Sequence, residues 1–138
     1  MRFVDTNVLL YAISTDPGEA EKAGLAQAIL ECSDLALSVQ VLQEFYVQAT
    51  RAGRPDALTH QQAADLVEAF TRFAVQATTW PLVRRALVTR ARFGLSYWDS
   101  AIIEAARALG CREVLSEDLS HEQDYDGVTV VNPFAQGA

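Results

Sequence analysis

The chain has 138 residues, half of them hydrophobic, with 21% charged and a formal net charge of −7. That is material for one domain, read here as residues 1–138 with a single core, and it excludes a disordered tail, a collagen-like repeat and a disulfide scaffold. Eleven basic residues against 18 acidic ones argue against a protein that holds nucleic acid by general attraction to phosphate. Charged or polar residues interrupt every apolar stretch, and Asp5 falls where a signal peptide needs its apolar region, so the expected location is cytoplasmic. Cys32 and Cys111 lie far apart without metal-ligand spacing, which predicts reduced thiols.

In chain order, Arg2–Asp5 reads as a short buried strand ending at an acid. A helix follows over about 7–13, broken at Asp16-Pro17-Gly18. Residues 19–31 are Ala-rich and helical, Leu35–Ser38 is a second strand, and the next helix spans about 39–51. Thr59 and Gln62 have capping-box spacing and open another helix. An alternating stretch over 73–77 precedes a helix over about 80–93. After Gly94, Ser96 opens a helix that ends at Gly110. Glu113–Ser116 is a strand, 117–127 an acidic loop, and Val128–Val131 the last strand. Short apolar strands alternating with helices predict an α/β domain with a largely parallel sheet covered on both faces. Ligands bind such sheets beyond the carboxyl ends of the strands, where Asp5 and Asp118 both fall.

Taken singly, each acid has a structural explanation. Asp5 can cap the following helix, although Asn7 can serve equally well. Asp99 completes a Ser96-x-x-Asp99 capping pattern, yet it shares a helix face with Ile102, Ile103 and Ala106. An acid opening a buried face needs a partner, and a cation is the simplest one. Glu44 borders the apolar stripe of Leu42, Phe45, Tyr46 and Ala49, where a solvated glutamate is ordinary. Asp118 sits in an acidic stretch beside Glu117, the neighbour most easily confused with it. As a set, carboxylates gathered at one end of a sheet repel one another, and a divalent cation relieves that repulsion. Oxygen ligands favour Mg²⁺ or Mn²⁺, and His60 and His121 are too scattered for a zinc site.

The segments Phe3-Val4-Asp5-Thr6-Asn7-Val8-Leu9, Ser38 to Phe45, Ser96-Tyr97-Trp98-Asp99-Ser100, Leu115-Ser116-Glu117-Asp118-Leu119 and Val131-Asn132-Pro133-Phe134 together resemble a PIN-domain ribonuclease of the VapC toxin type. The resemblance implies a PIN-like three-layer fold with a central sheet of four to five short strands. It also implies a Mg²⁺-dependent endoribonuclease (Mn²⁺ being the other candidate) in which a metal-activated water cuts RNA. Its metal and catalytic acids would be Asp5, Glu44, Asp99 and Asp118, with Thr6, Asn7 and Ser116 as polar supports. The partners implied are an RNA substrate, a cognate antitoxin and a second copy in a homodimer. Arg84, Arg85, Arg90 and Arg92 gather in one helix and are candidate contacts to the RNA backbone, the alternative being a solvated helix face. Two rival readings stay open: a PIN-like module that binds RNA or protein without cutting, and an aspartate-dependent phosphatase. The phosphatase needs a lysine near the phosphoryl group, and Lys22, the only lysine, falls in a helix expected to be exposed.

Overall fold

A computed structural model describes residues 1–135. Strand β1 (Arg2–Val4) leads into α1 (Thr6–Ala12), followed by a 3₁₀ turn (Pro17–Glu19) and α2 (Ala20–Leu30). Strand β2 (Leu35–Ser38) precedes α3 (Val39–Ala49) and α4 (His60–Phe70), and β3 (Ala74–Gln76) precedes α5 (Trp80–Phe93) and α6 (Tyr97–Ala108). The chain closes with β4 (Glu113–Leu115), β5 (Asp124–Tyr125) and β6 (Val128–Val131).

The strands form one sheet in the order β3-β2-β1-β4-β6-β5. All pairings are parallel except β5 with β6. Among the described residues the sheet thus has six strands rather than the expected four to five, because β5 lies inside what reads as an acidic loop. Asp126 and Gly127 take positive φ (55° and 94°) and turn the chain back on itself, which brings Asp124 and Tyr125 against Thr129 and Val128.

All four residues of β2 are buried. Successive side chains of a strand point to opposite faces, so both faces of the sheet are covered there. Helix α6 packs along β2, β3, β4 and β6 and is backed by α5, while α1 packs on α2 and α3, and α3 on α4. Between them lies one core that includes Phe3, Val8, Leu9, Phe45, Ile103 and Val114. The Thr59–Gln62 capping box forms, and Gly94 ends α5 in the left-handed conformation that a glycine accepts at little cost. Cys32 and Cys111 are both free thiols. Among the described residues no helix is long and apolar enough to cross a membrane.

From β1 the chain passes to β2 on one side, continues outward to β3, and returns to β4 on the other side of β1. The connections diverge between β1 and β4, and at such a point the loops leave a crevice beyond the carboxyl ends of the strands.

Candidate active site

Asp5 stands at the end of β1, only 5% exposed, and caps α1 by accepting the Thr6 N–H on Oδ1 (2.7 Å). The cap is therefore Asp5 and not Asn7, but capping uses only one of its carboxylate oxygens. The other, Oδ2, accepts from the Ser116 hydroxyl across the β1–β4 crevice at 2.7 Å. Burial pushes the Asp5 carboxyl up from its ordinary 3.8 to about 6, against the hydrogen bonds from Ser116 and Thr6, and the charges of Asp118 and Glu44 raise it further.

Asn7 lies in the first turn of α1, and its amide bridges the same crevice. Nδ2 donates to Ser116 Oγ (3.3 Å) and to Asp118 Oδ2 (3.2 Å), while Oδ1 accepts the Glu117 N–H (3.1 Å). The loop after β4 is thereby fixed with Asp118 toward the crevice. Glu117 turns away from it: its carboxylate takes the ammonium of Lys22 (2.6 Å) and the hydroxyl of Tyr11 (2.5 Å). Burial works against the Glu117 charge, but the Lys22 and Tyr11 donors prevail and hold its carboxyl below the usual range. Lys22 is accordingly no free surface lysine. It neutralises the acid next to Asp118, a partnership across 95 residues of sequence.

Glu44 arrives from the other side. Ser38 ends β2 and caps α3, accepting the Val41 N–H at 3.2 Å, and the helix then brings Glu44 to the start of α1. Thr6 donates its hydroxyl to Glu44 Oε2 (2.8 Å), and Gln40, one turn earlier, donates to Oε1 (2.8 Å). Glu44 is thus a tethered, half-buried acid and not the solvated one its spacing suggests. Asp99 lies in the first turn of α6, where Ser96 caps the helix by accepting the Asp99 N–H (3.0 Å). Its carboxyl is raised by burial, lowered by the Ser96 hydroxyl, and raised again by Asp118 and Glu44.

The fold therefore joins Asp5, Thr6, Asn7, Glu44, Ser116 and Asp118 in one hydrogen-bonded set, with Asp99 facing it electrostatically. Hard oxygen donors, two of them with pKa values raised chiefly by burial and further by neighbouring carboxylates, fit a divalent cation. Yet among the described residues no three carboxylate, imidazole or thiolate groups converge closely enough to chelate an ion. The acids' oxygens are spaced instead by Thr6, Asn7, Ser116 and Gln40, neutral donors that hold them in the absence of positive charge.

The four candidate arginines lie elsewhere on α5. Arg84 stacks over Trp80 (5.2 Å), Arg92 pairs with Asp126, and Arg90 and Arg92 occupy the last turn, where positive charge suits the helix dipole. Arg84, Arg85 and Arg92 line a groove with Thr89, Glu104 and Arg107, separate from the carboxylate crevice. A basic residue that sequence reasoning missed is nearer. Arg54, in the loop after α3, lines a cleft of about 290 Å³ together with Asn7, Tyr11, Glu19, Glu117 and Asp118. Its Nε lies 2.8 Å from Asp56, an ion pair not aligned as a hydrogen bond. Neither histidine joins the site: His60 pairs with Tyr46 (2.7 Å) and His121 accepts the Asn132 N–H (2.9 Å).

Solved structures share this fold at low sequence identity. A toxin–antitoxin complex from Klebsiella pneumoniae superposes with a TM-score of 0.70 at 20% identity, over 97% of this chain and 98% of that one. VapC20 of Mycobacterium tuberculosis, a toxin that cleaves the sarcin–ricin loop, gives 0.66 at 20% identity over 86% and 90%. FitAcB from Neisseria gonorrhoeae gives 0.59 at 20% identity over 96% and 98%. No curated protein matches the chain significantly. The family model for the PIN domain matches residues 2–123, a span that takes in β1, α3, α6 and the loop after β4 with all four crevice acids. The chain belongs to the PIN domain family.

Proposed function

We propose that this protein is a Mg²⁺-dependent endoribonuclease, the toxin of a toxin–antitoxin pair, acting with its cognate antitoxin and as a homodimer in the cytoplasm. The observation that carries the reading is Asp5: a carboxylate at the end of a central strand, almost wholly buried, raised to about 6 and within reach of the charges of Asp118 and Glu44. A buried charge in that position is costly unless a cation relieves it, and the cost is the kind met at functional sites. PIN-family membership and the likeness to structures of toxin–antitoxin complexes support the same reading.

Asp5, Asp99 and Asp118 would hold the ion, with Glu44 completing the set or orienting a water. A bound divalent ion supplies charge neutralisation at a phosphodiester and lowers the pKa of a water. The chain's own residues do the rest. Ser116 and the Thr6 N–H favour the ionised form of Asp5 against its burial and fix its direction. Asn7 ties Asp118 to the β1 side of the crevice, and Thr6 with Gln40 fixes the Glu44 carboxylate between them. Lys22 and Tyr11 keep Glu117 out of the set. The net charge of −7 leaves little general attraction for RNA, so selection rests on the shape and unpaired bases of one target.

The test is cleavage of total and structured RNA by antitoxin-free protein with Mg²⁺, with EDTA, and as the Asp5→Asn and Asp99→Asn variants. Cleavage that requires the ion and both acids, from variants that stay folded, is the expected result. Full activity of either variant overturns the assignment. One observation favours the non-cutting module instead: the acids do not converge to chelating distance as they stand. Folded protein that binds Mg²⁺ and cuts none of several structured RNAs would favour that reading or a very narrow target.

A further inference from the structure

Beside Glu44 the crevice opens into a groove of about 370 Å³ lined by Gln40, Gln43, Glu44, Val47, Gln48 and Trp98. Trp98 immediately precedes Asp99 and is 64% exposed, although α6 buries Ser100 through Ala106 directly behind it. Its position is fixed from two sides. Gln40 Nε2 donates both to the Trp98 carbonyl (3.2 Å) and to Glu44 Oε1 (2.8 Å), and the Tyr97 ring meets the indole nearly at right angles at 5.0 Å. One amide thus locks the tryptophan backbone to a candidate catalytic acid.

The lining decides what class of group the groove can take. It holds no basic side chain, so it is not a phosphate site, and the neighbouring carboxylates repel one. An aromatic face together with glutamine amides, each carrying a donor and an acceptor, suits a flat, neutral, hydrogen-bonding ring. Stacking draws on the π-face of a base rather than on positive charge, which matters in an acidic protein. We infer that this groove seats an unpaired RNA nucleobase adjacent to the bond to be cut, with Trp98 as its stacking face and Gln43 and Gln48 at its edge. The inference rests on the nuclease reading above and adds a base subsite to it.

Trp80 and Trp98 are the only tryptophans, so in Trp80→Phe protein the emission reports Trp98 alone. The experiment titrates that protein, in EDTA, with pentauridylate, pentaadenylate and an abasic pentamer. It then compares Trp98→Ala and Trp98→Phe in Mg²⁺ on the RNA fragment that the parent cuts. The expected result is quenching by the base-bearing pentamers and not by the abasic one. Trp98→Ala should raise KM roughly ten-fold with kcat little changed, and Trp98→Phe should restore it. Absence of quenching by every pentamer overturns the subsite. So does an unchanged KM in Trp98→Ala when the parent cleaves in an Asp99-dependent manner, and the nuclease reading then stands without it. Emission that follows protein concentration without RNA, with a smaller assembly for Trp98→Ala, also overturns it, since Trp98 then belongs to a contact between copies. Quenching by bases from protein that cuts no RNA supports the subsite and overturns the nuclease reading.

Discussion

The Ser116 hydroxyl donates to Asp5 Oδ2 at 2.7 Å while accepting from the Asn7 side chain and the Asp118 N–H, so one hydroxyl at the end of β4 serves both sides of the crevice. Ser116→Ala would leave two donors without their acceptor and Asp5 without the strongest hydrogen bond that lowers its pKa. The expected stability loss is about 1–3 kcal/mol. Loss of a residue that orients a ligand also predicts a roughly 10- to 100-fold weaker Mg²⁺ response in cleavage. Ser116→Thr keeps the hydroxyl and should keep activity. Mg²⁺ titration of all three proteins checks this, and an unaltered Ser116→Ala would contradict it.

The raised pKa of Asp5 makes the cation-free protein less stable as pH rises. Between its unfolded value near 3.8 and its folded value near 6, the folded state binds the proton that the unfolded state has released. Stability therefore falls across about pH 4 to 6, by up to about 3 kcal/mol for this group, and Asp99 acts in the same direction. Asp56 and Glu117, both lowered, act oppositely, but only as pH drops toward and below their ordinary values. Calorimetry in EDTA should give a higher melting temperature at pH 5 than at pH 7.5, a difference that Asp5→Asn flattens. Added Mg²⁺ should restore stability at pH 7.5 by binding the folded state alone. A melting temperature independent of pH would count against the burial of an ionisable Asp5.

Lys22→Met separates Glu117 from Asp118 in function. If Glu117 serves only to anchor the loop, the variant loses a partly exposed ion pair, a cost under about 1 kcal/mol, and continues to cut RNA. Glu117→Gln should likewise remain active. A loss of cleavage comparable to that of Asp118→Asn would place Glu117 among the ligands.

Glu104 is buried in α6, taking the Thr89 hydroxyl at 2.8 Å and Arg107 at 3.0 Å, and Arg107 also donates to the carbonyls of Tyr125 and Asp126. Arg107→Ala strands a buried carboxylate and unpins the β5–β6 turn, for an expected loss of about 2 kcal/mol or more. The double variant Arg107→Ala, Glu104→Leu should recover part of it. Urea denaturation of the single and double variants measures the difference.

How far these features were legible in the sequence follows from the range of the interactions that make them. Helix bounds, the Thr59–Gln62 box and the Gly94 cap are set within a few residues and could be read directly. Strand β5 could not, because two residues within an acidic loop carry no alternation, and only the turn at Asp126–Gly127 and pairing with β6 create it. The acids at the strand ends were legible from position, but the choice between Asp118 and Glu117 was not. Lys22 and Asn7 decide it, from 95 and 110 residues away. Gln40 stands four residues before Glu44 on one helix, a spacing that could have flagged it. Arg54 carries no such signal, since it enters the cleft from a loop.

The crevice is built from opposite ends of the chain: the Asp5–Ser116 bond spans 111 residues, and β4, the strand that pairs with β1, follows both β2 and β3 in the sequence. During synthesis, then, Asp5 emerges early and stays without Ser116 and Asp118 until the end of β4 is available. A ribosome translating this message holds an incomplete pocket for most of the elongation time, and any truncation before residue 113 removes its β4 side, with Ser116 and Asp118. The order of the strands in the sheet leaves the crevice incomplete until nearly the whole polypeptide exists.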